Sequence, residues 1–532
     1  MMGTPGREPT AGNALGPLKV PVFRLLWVAT ILGNVGTFVR DVASAWLATD
    51  LGGDAVAVAA VQAAATLPIC LLAIPAGVLS DTLDRRRLLM AVQLFLAVVT
   101  LALLGLAWHR DLGLTSLVAL SFLGGAGAAL MAPAWQAIVP ELVGRPLLRE
   151  AVALNSLALN VSRSIGPALG GLLVAVAGAV SAYGVHVLSS LAVLAALQRW
   201  RRSAPEQPMG SEPFGSALAA GLRFALASPG LRRLLWLAGL YFGLASAIWT
   251  LLPLLVRERW HGGAGLYGLL LGAVGLGAVC CALLLPRLRA RLGANGLLLS
   301  AIALTGATVV GLSVAPTALL AAPLLWLLGW GWIAVLTTLS SGTQAELPDW
   351  VRGRGLALYL TVFNGALALG SLAWGAAAHG HQPSTVLALS GAALLLATGG
   401  LWRLGPLPTS DADLAPADPW PEPALAHPAA HAGPVLVQVE YRVQPAERAD
   451  FLRALAELGR SRRQSGAFRW GVAEDSAAPG TVLEWFLVPS WDEHRRQHHR
   501  RTQEDARLQA SVHRFHRGTE PPAVRHYLNL LD

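Results

Sequence analysis

The chain has 532 residues, of which 54% are hydrophobic and only 13% charged, with a mean hydropathy of +0.53. Soluble domains carry roughly 25% charged residues, so this composition excludes an ordinary water-soluble enzyme. The formal net charge of +9 sits on arginines at the ends of apolar runs and not on one basic face, which excludes nucleic acid as the partner.

Residues 1–21 read as a polar, Gly- and Pro-containing N-terminal tail, with no apolar core before a cleavage site and hence no signal peptide expected. Twelve apolar stretches follow, near 22–49, 56–79, 88–108, 113–139, 151–177, 180–199, 234–256, 264–285, 295–315, 317–345, 354–378 and 384–403. Each approaches the roughly 20 residues needed to cross a bilayer, and their continuous apolarity predicts helices. Cys70, Cys280 and Cys281 fall inside them, which suits neither disulfides nor zinc ligands. One set of loops holds Lys19 and Arg24, Arg85 to Arg87, Arg145 and Arg149, Arg199 to Arg202, Arg232 and Arg233, Arg287 to Arg291, and Arg352 and Arg354. The opposite set holds little beyond Arg110, Arg257 and Arg259. The positive-inside bias makes the first set, both termini and the C-terminal region cytoplasmic, in a multi-pass protein of the cell membrane.

The spans divide into a first six-helix half (22–199), a central cytoplasmic loop (200–232) and a second half (233–404). The loop contains Pro205, Pro208 and Pro213, then a short amphipathic run ending near Leu226. The halves repeat. Gln136-Ala-x-x-Pro140-Glu141-x-Val143 returns 208 residues later as Gln344-Ala-x-x-Pro348-Asp349-x-Val351. Arg24-Leu-Leu-Trp27 returns as Arg233-Leu-Leu-Trp236, and Asn155 as Asn364, at an offset of 209. Duplicated bundles of this kind build transporters that rock about a central site.

Between the second and third spans lies Gly77-Val-Leu-Ser-Asp81-Thr-Leu-Asp84-Arg85-Arg86-Arg87. This resembles the loop signature of the major facilitator superfamily, with Asp84 in place of a second glycine and Thr82 in place of a basic residue. The resemblance implies a conformational latch made of Gly77, Asp81, Arg85 and Arg86, acting against the start of the eleventh span near Gly353. An aspartate there can favour a helix N-terminus, while the arginines hold the anionic membrane face. Gly166-Pro167-x-x-Gly170-Gly171 in the fifth span resembles the core of the export signature of drug/proton antiporters. Ordinary small-residue packing is the other reading. Ser121 stands where that antiporter pattern places a basic residue in the fourth span.

Intramembrane charges are costly and point to function. Asn34, Thr37, Asp41 and Ser44 form one stripe of the first span, and Ser156, Asn160, Arg163 and Pro167 one stripe of the fifth. Counting from the cytoplasmic ends places Asp41 about 8 Å deeper than Arg163. A pair between them is therefore expected, with Asp41 as the protonation site and Arg40 beside it, or alternatively a structural ion pair. Gln136, Gln344, Asn364 and Trp249 complete the cavity candidates. His186, Gln62 and Gln93 read as interhelical hydrogen bonders. Tyr241 and Phe242, with Trp249, read either as a stack for an aromatic substrate or as an interfacial belt.

After Arg403 the charge density rises. Residues 405–433 form a Pro/Ala/Asp-rich stretch that predicts an extended linker. From 434 to 532 the pattern predicts strands at 435–443, 468–474, 481–488 and 523–530. One helix should open at Pro445, and another, capped by Ser490-Trp-Asp-Glu493, should run to about Phe515. That order, βαββαβ, is a ferredoxin-like α+β plan. It resembles the small dimeric domains of the antibiotic-biosynthesis monooxygenase group, which implies possible self-association. His494, His498 and His499 lie among Arg495, Arg496, Arg500 and Arg501 and read as a solvated basic face, not as a metal or haem site. Trp470 and Trp485 are expected to fill the small core.

A bundle followed by such a tail resembles the transmembrane secretion effectors, a branch that includes enterobactin-exporter-like proteins. The resemblance implies an all-α membrane protein of twelve transmembrane helices in two six-helix halves, plus the small domain. Its implied function is proton-coupled export of a small organic molecule such as a drug-like compound, siderophore or secondary metabolite. The alternatives are an importer of a small nutrient, or a membrane-tethered enzyme acting through the tail. No nucleophile–base pair or metal triad supports an enzyme. No cofactor is expected, and the lack of a Gly-x-x-x-x-Gly-Lys loop argues against ATP drive.

Overall fold

The computed structural model describes residues 15–144, 147–200, 214–403, 405, 413–418, 420 and 434–528. Arg145, Pro205, Pro208, Pro213 and the side chains of Asp81, Thr82 and Arg149 lie outside what is described. The fold comprises two compact units. One gathers Met1–Gln207, Leu237–Leu339 and Leu360–Pro406; the other gathers Pro208–Trp236, Ser340–Tyr359 and Leu407–Asp532. The second unit is thus more than the tail, because it takes in helix ends from the second half.

Among the described residues, ten helices are long and apolar enough to span a membrane. They are α1 (Pro21–Gly52), α2 (Ala55–Thr82), α3 (Arg85–Trp108), α4 (Leu114–Val143), α5 (Leu148–Arg199), α7 (Pro229–Leu254), α8 (Ala264–Val314), α9 (Ala318–Ala345), α10 (Arg352–Ala377) and α11 (Pro383–Arg403); α6 (Phe214–Ala227) lies between α5 and α7. Both α5 and α8 reverse at a glycine in the left-handed region, Gly178 (φ 74°) and Gly293 (φ 68°), where a side chain would be strained. Each therefore carries two spans, and the ten helices make twelve. Local chemistry sets the joints. α1 ends at Gly53 (φ 69°); Asp54 then caps α2 by accepting from Ala57 N, and Asp84 caps α3 by accepting from Arg87 N.

In the first unit the end bearing the arginine-rich loops is called the basic end, and the other the far end. One buried cluster joins both halves at the far end, with Val39, Trp46 and Val58 from the first half and Leu251, Leu255, Leu271 and Leu312 from the second. Two clusters at the basic end draw on the first half alone, one around Leu26, Leu89, Ile138 and Leu197 and one around Phe23, Val139 and Leu154.

In the second unit the tail forms β1 (Val435–Arg442), α12 (Arg448–Ser465), β2 (Arg469–Glu474), β3 (Thr481–Val488), α13 (Trp491–His499), α14 (Gln503–His513) and β4 (Ala523–Leu528). The sheet is antiparallel in the order β2-β3-β1-β4, as the ferredoxin-like plan requires. Val439, Tyr441, Phe451, Leu455, Val482 and Val512 pack between the sheet and its helices. Three expectations are corrected here. The second helix is broken, because Thr502 starts a new capping box with Asp505 just after α13 ends. Trp485 does not enter the core; Val482, Glu484, Phe486 and Val488 are the buried positions of β3, so pleating turns Trp485 to the other face. Part of the expected linker is docked: Ala417 N donates to Arg501 O (3.0 Å), Gln503 N to Ala415 O (2.9 Å) and Trp420 Nε1 to Gln509 Oε1 (2.8 Å).

Candidate functional site

α1 and α5 run side by side, and their register decides which charges can meet. Ser162 Oγ donates to Ile31 O (3.3 Å), and Trp27 Nε1 donates to Leu154 O (3.0 Å). A Cβ on Gly166 would meet Phe38 Cβ at 2.6 Å, and one on Gly170 would meet Val39 Cα at 2.9 Å. Arg163 is therefore level with residues near Asn34, roughly 10 Å short of Asp41 at 1.5 Å per residue. The expected Asp41–Arg163 pair is overturned. Arg40 donates to Asp41 Oδ1 through both Nε (3.1 Å) and Nη2 (2.7 Å). Arg40 is the inner member, with 12% side-chain exposure against 48% for Asp41. Its guanidinium lies beside Gly124, where a Cβ would sit 3.2 Å from Nη1. The absent side chain of α4 makes room for that charge. Among the described residues, no carboxylate pairs with Arg163.

The glycines of the fifth span have separate tasks. Gly166 and Gly170 seat α5 on α1, as above. Gly171 seats it on α8 of the other half, where a Cβ would lie 2.5 Å from Gly268 Cα and 2.6 Å from Ala264 O. The contact continues through Ala168 with Gly272, Ala175 with Gly265 and Ser164 with Gly275. α2 meets α10 through Cys70 and Gly365, and Thr361 Oγ1 donates to Cys70 O (3.4 Å). At the far end Arg257 pairs with Asp50 (2.8 Å) and donates to Thr49 O (2.7 Å), tying the π-helical turn after α7 to the end of α1. These approaches run from mid-helix to the far end.

The other candidates are dispersed. Thr37 Oγ1 donates to Gly33 O, and Asn364 Nδ2 donates to Leu360 O, each within its own helix. Ser44 leaves the stripe to bond the Tyr183 hydroxyl (3.2 Å). Asn160 is half-buried, while Gln136 and Gln344 are exposed near the ends of α4 and α9. His186 Nδ1 meets Thr100 Oγ1 at 2.8 Å; that hydroxyl already donates to Leu96 O, so the imidazole donates. Tyr241 and Phe242 form neither a belt nor an open stack. They are buried in an edge-to-face cluster with Trp332 and Phe363, with Phe242 and Phe363 centred 4.4 Å apart, and the half-buried Trp249 packs on Trp332.

Of the residues expected to form a latch, Gly77 O accepts from Ser80 Oγ, and a Cβ on Gly77 would meet nothing within 4 Å. Arg85 pairs with Glu141 (2.7 Å) and donates to Ala137 O (3.3 Å), while Arg86 donates to Leu197 O (2.9 Å) and Gln198 O (2.8 Å). The arginines thus grip α4 and the end of α5. Glu141 belongs to the duplicated signature, so one copy of the repeat holds the loop arginine as well as marking the duplication.

The second copy of that signature serves the second unit. Trp350 lies under the Arg500 guanidinium at 4.3 Å. Glu493, 3% exposed, accepts from Arg500 (2.6 Å) and Arg496 (2.9 Å) and lies 3.7 Å from Arg223 of α6. A cavity of about 360 Å³ beside them is lined by Ser228, Glu346, Trp350, Arg460, Arg500 and Asp505, among others. Within the tail, Glu484 is wholly buried, accepting from Trp470 Nε1 (3.0 Å), the Tyr441 hydroxyl (3.2 Å) and Arg462 (3.4 Å). The inward phase of β3 was the signal that could have found it. The solvated reading fails for His494, while His499 is exposed as that reading expects. His494 is 2% exposed, and burial, aided by His498 and His526, pushes its imidazole down to about 3.

Twelve spans in two similar halves that meet through small residues define a transporter of the major facilitator fold. The nucleoside transporter NupG superposes with a TM-score of 0.60 at 10% identity, over 72% of this chain and 99% of that one. A bacterial homologue of the human lysosomal transporter Spinster does so with 0.56 at 14%, over 74% and 97%. The family model described as transmembrane secretion effector matches residues 12–531, and the chain belongs to that family. Enterobactin exporter EntS of Shigella boydii serotype 18 is 31% identical over 290 residues, covering 52% of this chain and 66% of that protein. EntS of Escherichia coli O139:H28 matches equally. The match spans slightly less than two thirds of these relatives.

Proposed function

We propose that the protein is a secondary active exporter, driving a small organic molecule out of the cell against proton entry. The Arg40–Asp41 pair carries this reading. It sets an ionisable carboxylate past the midpoint of α1, toward its far end, in a bundle whose halves meet from mid-helix to the far end. With the arginine-rich loops in the cytoplasm, that arrangement is inward-facing, ready to load from the cytoplasm. Protonating Asp41 releases Arg40, so proton and substrate can bias the two states differently, as coupling requires. Kinship with proteins named as enterobactin exporters favours a siderophore or comparable secondary metabolite over a nutrient.

In everted vesicles energised by a proton gradient, wild-type protein is expected to accumulate substrate and Asp41→Asn to lose gradient-driven accumulation while keeping counterflow exchange. Undiminished accumulation in Asp41→Asn rules out the coupling role, and accumulation only in right-side-out vesicles makes the protein an importer.

The sheet face of the tail opposite its buried positions carries Leu436, Leu483, Trp485, Leu487 and Tyr527 beside Gln438, Glu440 and Arg525, a mixed face with an apolar patch that we read as the surface for a second copy of the chain. Trp485→Asp is expected to shift detergent-solubilised protein from dimer to monomer in light scattering; a mass unchanged by the substitution argues against this surface.

A further inference from the structure

We propose that His494, His498 and His526 form a binding site for one divalent transition-metal ion of the zinc class, clamping α13 to strand β4. One nitrogen from each ring lies within 4.8 Å of the other two, and His494 Nε2 and His498 Nε2 are 3.3 Å apart. Two imidazole nitrogens bound at about 2.0–2.1 Å to one tetrahedral ion are separated by roughly that distance. His526 Nε2 is buried and, among the described residues, has no hydrogen-bond partner, a costly state for a polar atom unless something else fills its need.

The tautomer of His494 is set from behind. Ser465 Oγ donates to Arg462 O, so it accepts from Gln497 Nε2 (2.9 Å). That turns Gln497 Oε1 toward His494 Nδ1 (3.3 Å), which must carry the proton. The lone pair is then on Nε2, facing His498. Outer partners of this kind orient metal-binding histidines.

The surrounding arginines raise the obvious objection, and it is met in part. Arg496 and Arg500 pair with Glu493, and Arg462 with Glu484. The sequence shows the cations but not the two buried carboxylates that offset part of their charge. Trp491 walls the site, centred 5.6 Å from His494 and 5.7 Å from His526, and Trp420 closes over His498 at 5.3 Å. Three neutral nitrogen donors suit zinc-class ions better than magnesium or calcium, which take oxygen. Occupancy would stiffen α13, whose Glu493 reaches toward α6, and so bears on the tail's grip on the helix ends.

The full chain, purified without a polyhistidine tag and stripped with a chelator, is titrated with Zn²⁺ alone by calorimetry and with Co²⁺ by visible absorption. One ion per chain is expected, with the d–d bands of tetrahedral cobalt and a rise in the unfolding midpoint on binding. His494→Gln and His526→Gln should each weaken binding at least about 10-fold and Gln497→Ala by less, while His513→Gln should leave it unchanged. His526→Gln lies on an edge strand, so its metal-free unfolding midpoint separates loss of a ligand from loss of fold. Binding of equal strength in the His494→Gln/His526→Gln double variant, or no stoichiometric uptake by wild type, overturns the proposal.

Discussion

Gly171→Ala is expected to hold the two halves apart at the far end and to slow transport sharply. Its Cβ would come within 2.5 Å of Gly268 Cα and 2.6 Å of Ala264 O, and neither is the tip of a side chain that can swing away. Overpacking of this kind costs about 1–3 kcal/mol. The cost falls only on the state in which α5 and α8 touch, so it acts as a bias between states, roughly 5- to 150-fold. An Ala175→Cys probe in a background lacking native cysteines should react faster with an impermeant maleimide added at the far side, while substrate flux drops by a similar factor. Gly184→Ala, with open space around its Cβ, should behave as wild type. Wild-type labelling and flux in Gly171→Ala would mean that this crossing is not the closure point.

Glu493→Ala should have the largest effect on the tail. Glu493 and Arg500 have side chains only 3% and 7% exposed, and removing one partner of a buried ion pair costs about 3–5 kcal/mol, because the other charge stays behind. Here Arg496 and Arg223 lose part of their compensation as well. For a domain of this size that should lower the tail's unfolding midpoint by more than about 10 °C, read by hydrogen exchange in α13 and β4. The contact with Trp350 rests on Arg500, so α6 and the α9–α10 junction should lose protection together with the tail. Replacing Arg507, exposed and paired with Glu504 across a turn of α14, should leave the midpoint where it is. A Glu493→Ala tail as stable as wild type would show that water reaches the pair freely.

Much of the architecture was legible because it follows from local rules. Continuous apolarity gives spans, and Gly178 and Gly293 fall where the pattern had already separated neighbouring spans. The tail's strand order followed from period-two alternation and its turns. The capping serine at Ser490 was also readable, since Ser490 Oγ does accept from Glu493 N. The other half of that box was not, because the Glu493 side chain turns instead to Arg496 and Arg500.

What the sequence by itself determined, then, is everything carried by period and spacing along one element: twelve spans in two halves, the arginine cluster after the second span, the small-residue motif and the ferredoxin-like order. Tertiary structure alone decided which residues meet. The register between α1 and α5 places Arg163 short of Asp41 and leaves Arg40 as its partner. The phase of β3 buries Glu484 and turns Trp485 outward, and the pairing of β4 with β1 brings His526 to His494 from 32 residues away in the chain. A shift of about one helical turn, or of one residue in a strand, costs the local pattern little but changes every cross-element contact. Such shifts are settled by packing, as where a missing Cβ on Gly171 or Gly124 lets a backbone or a guanidinium approach. The duplicated signature shows both at once. Its repetition is written in the chain, but only the fold shows that one copy holds Arg85 through Glu141 while the other receives the tail through Trp350.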